Sequence, residues 1–168
     1  MFFPDNTVLI NFATIGRLDL LEELANGHGR WCLSVSHECA RSARVDGLDS
    51  LNSVRAFLGD PLEPTPAELL DTRVLRDSMT SPGDGVTKHL GEAETITIIT
   101  NRGLQPAAIF VTDDASALGL AASRGIRVAD TWDLLNLAER VGKIDAEQHA
   151  QYVAKLAAND RYRPRRRR

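Results

Sequence analysis

The alternation of short apolar runs with helix-patterned stretches constrains this chain most. Trp31-Cys32-Leu33-Ser34-Val35, Ala107-Ala108-Ile109-Phe110-Val111 and Ile126-Arg127-Val128 are short, apolar and compatible with strands, and helical spacing fills the intervals between them. Strands that alternate with helices build a parallel sheet covered on both faces. Loops leaving the carboxyl ends of such strands gather at one crevice, so side chains distant in sequence converge there. The acids of this chain stand where that geometry would collect them. Asp5 follows Met1-Phe2-Phe3-Pro4, Glu92 and Glu94 open the stretch Gly91 to Ile96, and Asp113-Asp114 follow Ala107 to Thr112. Converging carboxylates of this kind bind a hard divalent cation, Mg²⁺ or Mn²⁺.

Helix boundaries are marked along the chain. Arg17 to Asn26 carries Leu18, Leu20, Leu21, Leu24 and Ala25 at helical spacing and ends at Gly27. Ser36 to Ala43 and Leu48 to Leu58 read as further helices. In Thr65-Pro66-Ala67-Glu68, Thr65 caps, Pro66 suits the first turn and Glu68 completes a capping box. The turn-rich Ser81-Pro82-Gly83-Asp84-Gly85 leads into a helix from Leu90, and Ala115 to Ser123 is a helix closed by Gly125. Thr131 caps a helix over Trp132 to Val141, and Asp145 with Gln148 forms a capping box for the last one. Val8 to Phe12 fits either a strand or a helix that starts after Asp5, because Ile10, Ala13 and Ile15 also suit a helix.

At 168 residues the chain supports one domain with a full core, and 43% hydrophobic with 26% charged residues excludes disordered and fibrous classes. No stretch approaches the roughly 20 apolar residues of a membrane span. Met1 to Asp5 lacks the basic start of an export signal, so a cytoplasmic location with reduced thiols at Cys32 and Cys39 is expected. Cys32, His37 and Cys39 have no second half at zinc-ligand spacing, which argues against zinc. Six of the 20 basic residues crowd into residues 161–168, which leaves 14 against 23 acids in residues 1–160, a balance of −9. The body is acidic, and residues 159–168 read as a basic, disordered tail on a domain of residues 1–158.

Three segments, Asp5-Asn6-Thr7-Val8-Leu9-Ile10, Leu90-Gly91-Glu92-Ala93-Glu94 and Val111-Thr112-Asp113-Asp114-Ala115-Ser116-Ala117, resemble in this order the PIN-domain ribonucleases. The nearest group is the bacterial toxin-type proteins related to VapC. The resemblance covers about residues 3–142 and excludes the arginine tail. It implies a three-layer α/β/α sandwich with a parallel sheet of four or five strands, and a helix directly after Asp5 that would include Val8 to Phe12. It also implies the ligand set: Asp5 as the first acid, Glu92 or Glu94 as the third and Asp113 or Asp114 as the fourth. Glu38 occupies roughly the place of the acid that follows strand two. Thr7 and Thr112 stand beside these acids as hydrogen-bonding residues that orient them, although Thr7 equally suits a helix start.

Two doublets leave the ligand assignment open. On a helix Glu92 shares a face with Ile96 and Ile99, whereas Glu94 lies about 200° away. The apolar stripe faces the sheet, so Glu92 is the acid expected in the crevice, with Glu94 as the alternative. Either of Asp113 and Asp114 also serves as a helix cap, worth about 1 kcal/mol.

The function implied by the resemblance is Mg²⁺- or Mn²⁺-dependent cleavage of RNA phosphodiester bonds. Asp5, Glu38, Glu92, Asp113 and Asp114 are its catalytic acids, and no histidine nucleophile is expected. Such ions activate water for in-line attack and offset charge on the leaving oxygen. Arg41, Arg44 and Lys88 are the positive side chains expected near the mouth, where phosphates must approach an acidic body. The resemblance further implies the toxin of a toxin–antitoxin pair, a separately encoded antitoxin protein, and a homodimer to which helices over 132–141 and 146–157 contribute. The alternative is a catalytically inactive module of the same fold that binds RNA or protein. A nucleotide binder or phosphatase is disfavoured, because a Walker A loop and a Gly-x-Gly-x-x-Gly are absent and Asp5-Asn6-Thr7 lacks the second acid of an aspartyl-phosphate motif.

Overall fold

The computed structural model describes residues 1–85 and 87–165. Strands β1 (Phe2–Pro4), β2 (Ile109–Val111) and β3 (Arg127–Ala129) form one parallel sheet in that order. Its register aligns Phe3, Phe110 and Val128 in one row, and Pro4, Val111 and Ala129 in the next. Successive side chains of a strand point to opposite faces, and the core divides accordingly. Phe3, Phe110 and Val128 pack with Ile96, Ile99 and Ala121. Phe2 and Val111 pack on the other side with Leu9, Phe12, Leu21 and Leu135.

Helices α1 (Asn6–Ile15), α2 (Leu18–Ala25), α3 (Leu33–Ser42), α8 (Thr131–Arg140) and α9 (Ala146–Ala158) contribute to the second of these clusters. Helices α6 (Leu90–Asn101) and α7 (Ala115–Ser123) fill the first, with α5 (Pro66–Met79) adding Leu75 and Met79. Both faces of the sheet are therefore covered, which makes an α/β/α sandwich. No helix among the described residues is long and apolar enough to cross a membrane.

Val8 to Phe12 is helical. Asp5 stays extended, with ψ 162°, and its carboxylate accepts from the Thr7 backbone N–H, while Gly16 at φ 75° closes α1. The capping boxes at Thr65/Glu68 and Asp145/Gln148 form with both reciprocal bonds.

Three expectations need correction. The sheet has three strands among the described residues, not four or five, because Trp31 to Val35 is not a strand. Only single bridges, Phe2 to Gly29 and Cys32 to Leu62, mark where that strand was expected. Leu33 already opens α3, and a five-residue apolar run does not separate a strand from the buried start of a helix. Leu48 to Leu58 is not continuous helix: a 3-10 turn over Asp49–Ser53 precedes the short α4 (Val54–Leu58). Asp130, not Thr131, caps α8, since Asp130 is the extended residue that directly follows β3 and its carboxylate accepts from Asp133 N–H at 2.7 Å.

An ion pair ties α5 to the end of α6. Glu68 accepts from Arg102 Nε and Nη2, both at 2.8 Å, and from the Thr65 backbone at 2.7 Å. The Arg102 guanidinium leads the causes that hold the Glu68 carboxyl down at about 2. A depressed carboxyl contributes stability above its unfolded value of 4.5, and the contribution disappears as the pH falls through about 2. Arg102→Met is expected to cost about 1 kcal/mol at neutral pH, a modest figure because Arg102 is one-third exposed. Urea unfolding should show that deficit shrinking below pH 4.5.

Candidate active site

The register that aligns Pro4 with Val111 and Ala129 also sets where the chain leaves the sheet. Asp5 follows β1, Asp113 and Asp114 follow β2, and Asp130 follows β3, all at the carboxyl edge. Glu38 comes from the middle of α3 and Glu92 from the first turn of α6. Asp5, Glu38 and Glu92 line one cleft of about 290 Å³ together with Arg41, Lys88 and His89. A larger hollow of about 790 Å³ lies along α7 and β3, but its walls are mostly apolar and carry no carboxylate.

Asp5 is 1% exposed. Its Oδ2 accepts from Thr7 Oγ1 at 2.8 Å and from the Thr7 backbone at 3.4 Å, whereas its Oδ1 is buried without a hydrogen-bond partner. Asp5 thus caps α1 through the Thr7 N–H, and the Thr7 hydroxyl orients the carboxylate. Burial raises the Asp5 carboxyl against the pull of those hydrogen bonds. Burial also pushes Glu38 up to about 7, assisted by the Asp5 charge and opposed by Arg41 and the Gly91 N–H. Glu92 rises to about 8, by burial first and then by the charges of Asp5, Glu38 and Asp114. Gly91 permits this crowding, because a Cβ there would stand 3.2 and 3.3 Å from the Glu38 oxygens.

The two doublets separate. Glu94 is 3% exposed and both its oxygens are taken by Ser34, from the backbone N–H at 3.0 Å and from Oγ at 2.5 Å. It satisfies the amino end of α3, and the acid of this doublet that lines the cleft is Glu92. Asp113 is bound by three donors, Thr131 N–H at 2.8 Å, Thr131 Oγ1 at 2.6 Å and Asn11 Nδ2 at 2.7 Å. Burial still raises its carboxyl. Asp114 caps α7 through Oδ1, which accepts from Ala117 N–H and Ser116 Oγ, and turns Oδ2 toward His89. Burial works to raise Asp114, but those hydrogen bonds and His89 outweigh it and hold the carboxyl low. Thr112 accepts from the Asp114 backbone N–H at 3.2 Å and so sets the direction of that turn.

Two residues of the site escape sequence reasoning. Asn11, 1% exposed on α1, reaches Asp113 and Thr131. An asparagine between the apolar Ile10 and Phe12 in mid-helix was the available signal. His89 sits at the edge of the cleft, directly before α6, and its spacing of three from Glu92 was the signal there. Arg44, expected near the mouth, does not line the cleft. The arginine tail makes a contact at the same edge of the sheet: Arg163 pairs with Asp130 and Asp133. Residues 166–168 of that tail lie outside the described residues.

The donor set suits a divalent cation. Hard carboxylate oxygens converge, and the unpartnered Asp5 Oδ1 is a buried acceptor that a cation would satisfy. A family model described as a PIN domain matches residues 1–167. No curated protein matches the chain.

Carboxyls harder to ionise in the folded than in the unfolded chain make the cation-free protein lose stability as pH rises from 4.5 through about 7 and 8. Glu92→Gln should flatten that decline in metal-free thermal melts, and an unchanged slope would remove Glu92 as its source. Glu94→Ala is expected to cost about 1–2 kcal/mol by stranding the Ser34 donors, whereas Glu92→Gln relieves repulsion and leaves the metal-free protein as stable or more so. Chemical unfolding of the two variants separates the structural acid from the one in the cleft.

Proposed function

Because the chain belongs to the PIN-domain family, whose fold is that of nucleases, we propose that it is a Mg²⁺- or Mn²⁺-dependent endoribonuclease. One observation carries this reading: Asp5, Glu38 and Glu92 converge in a single cleft with a buried Asp5 oxygen left without a partner, and Asp114 faces the same group through His89. Asp5, Glu92 and Asp114 are the acids suited to hold the cation, and Asp113 steadies the floor through Thr131 and Asn11. When bound there, a divalent ion supplies charge neutralisation at the phosphodiester and activation of water.

The chain's own groups do the rest. Arg41 and Lys88 give the mouth positive charge against an acidic body, which draws in a phosphate backbone. Thr7 and Thr112 fix the direction of Asp5 and of the Asp114 turn, so that little reorganisation is needed when substrate arrives. Glu38, in the same cleft as Asp5 and Glu92, is placed to accept a proton from water. The resemblance of the three acid segments to VapC-related proteins supports a role as the toxin of a toxin–antitoxin pair, with a separately encoded antitoxin and a homodimeric assembly in the cytoplasm.

Purified protein incubated with labelled tRNA and mRNA panels should cut RNA with Mg²⁺ or Mn²⁺ and not with EDTA. Asp5→Asn should lower the rate about 100-fold or more. If the folded, partner-free protein cuts no RNA with either ion, a binding module without nuclease activity replaces this reading.

A further inference from the structure

His89 is the side chain of the cleft that the carboxylate chemistry leaves without a task. Its backbone takes the left-handed conformation, φ 61°, just before α6, a placement that turns the ring toward two acids. Nδ1 lies 3.9 Å from Glu92 Oε1 and 4.0 Å from Asp114 Oδ2. Both separations exceed a hydrogen bond, so that nitrogen is bonded to neither carboxylate. One ligand atom from each of His89, Glu92 and Asp114 lies within 4.8 Å of the other two.

Those gaps are the size of a shared ion. Two donors each about 2.1 Å from one cation stand about 3.0 Å apart at a right angle and about 4.2 Å apart when opposed. The His89 separations fall inside that range without movement. Independently, Asp5 is almost fully buried, lines the cleft beside His89 and Glu92, and keeps an Oδ1 that no protein donor satisfies.

A nitrogen donor changes which ion is preferred. Mg²⁺ demands oxygen ligands and retains its waters, whereas imidazole favours first-row transition ions, whose affinities rise from Mn²⁺ through Ni²⁺. We propose that His89 is a nitrogen ligand of this site, which therefore takes Mn²⁺ or a later first-row transition ion in preference to Mg²⁺. The inference rests on the acid cluster being a cation site and is independent of which nucleic acid is cut.

The test is equilibrium binding of Mn²⁺ and of Mg²⁺ to the full chain, with pulsed electron paramagnetic resonance of the Mn²⁺ complex. Wild type should favour Mn²⁺ and show nitrogen hyperfine modulation. His89→Gly should abolish the modulation and weaken Mn²⁺ about tenfold or more, with Mg²⁺ changed less than about threefold. Glycine adopts the left-handed backbone freely, so this variant is expected to fold, and His89→Asn, which also tolerates that conformation, gives a second reading. Nitrogen modulation that persists in His89→Gly, or equal weakening of both ions, overturns the assignment while leaving the cation site intact. Failure of wild type to bind either ion overturns the cation site and the assignment together.

Discussion

The parallel register of three short strands is the constraint on which the site depends. Pro4, Val111 and Ala129 stand side by side, and the hydrogen bonds continue one step beyond them, from Asp5 N–H to Val111 O at 2.8 Å and from Thr112 N–H to Ala129 O at 3.1 Å. Those bonds hold the first residues of three helix starts at one edge. A slip of one residue would turn Phe3 and Phe110 out of their shared cluster and carry the acids away from one another. Packing of apolar side chains on both sheet faces thus determines where the carboxylates meet.

Meeting has an electrostatic cost, and the protein meets it in two ways. Glu94 and Asp130 are buried and Asp113 is partly buried, but all three are satisfied by hydrogen-bond donors: Ser34 for the first, Asp133 N–H for the second, Thr131 and Asn11 for the third. Asp5, despite its Thr7 donors, keeps Oδ1 unpartnered, and its charge adds to burial at Glu38 and Glu92, so all three carboxyls rise. The division separates acids that hold the fold together from acids that strain against it. Uncompensated buried carboxylates are where a cation contributes most, since it replaces mutual repulsion with attraction.

Much of this was legible in the residues. Helix starts could be read at Thr65, Asp145 and Ala115 because capping is local: the donor and acceptor lie within three residues of each other. The choice of Glu92 over Glu94 for the cleft followed from helical periodicity and the apolar stripe of Ile96 and Ile99. Trp31 to Val35 misled because its buried face looks alike in a strand and in a helix start, and what settles it is Glu94, 60 residues away, bonded to Ser34. The same limit hid Asn11 and His89, whose neighbours Asp113 and Asp114 are remote in sequence or across a loop.

By itself the amino-acid order determined the alternation of elements, their caps, the layered α/β class and the acids that follow apolar runs, because each depends on interactions between near neighbours. The tertiary structure alone decided that Asp114 rather than Asp113 turns toward His89, which carboxylates are satisfied by helix starts, and that His89 stands near both Glu92 and Asp114. Those outcomes depend on charges brought within a few ångströms by long-range packing, where burial removes the water that would otherwise screen them.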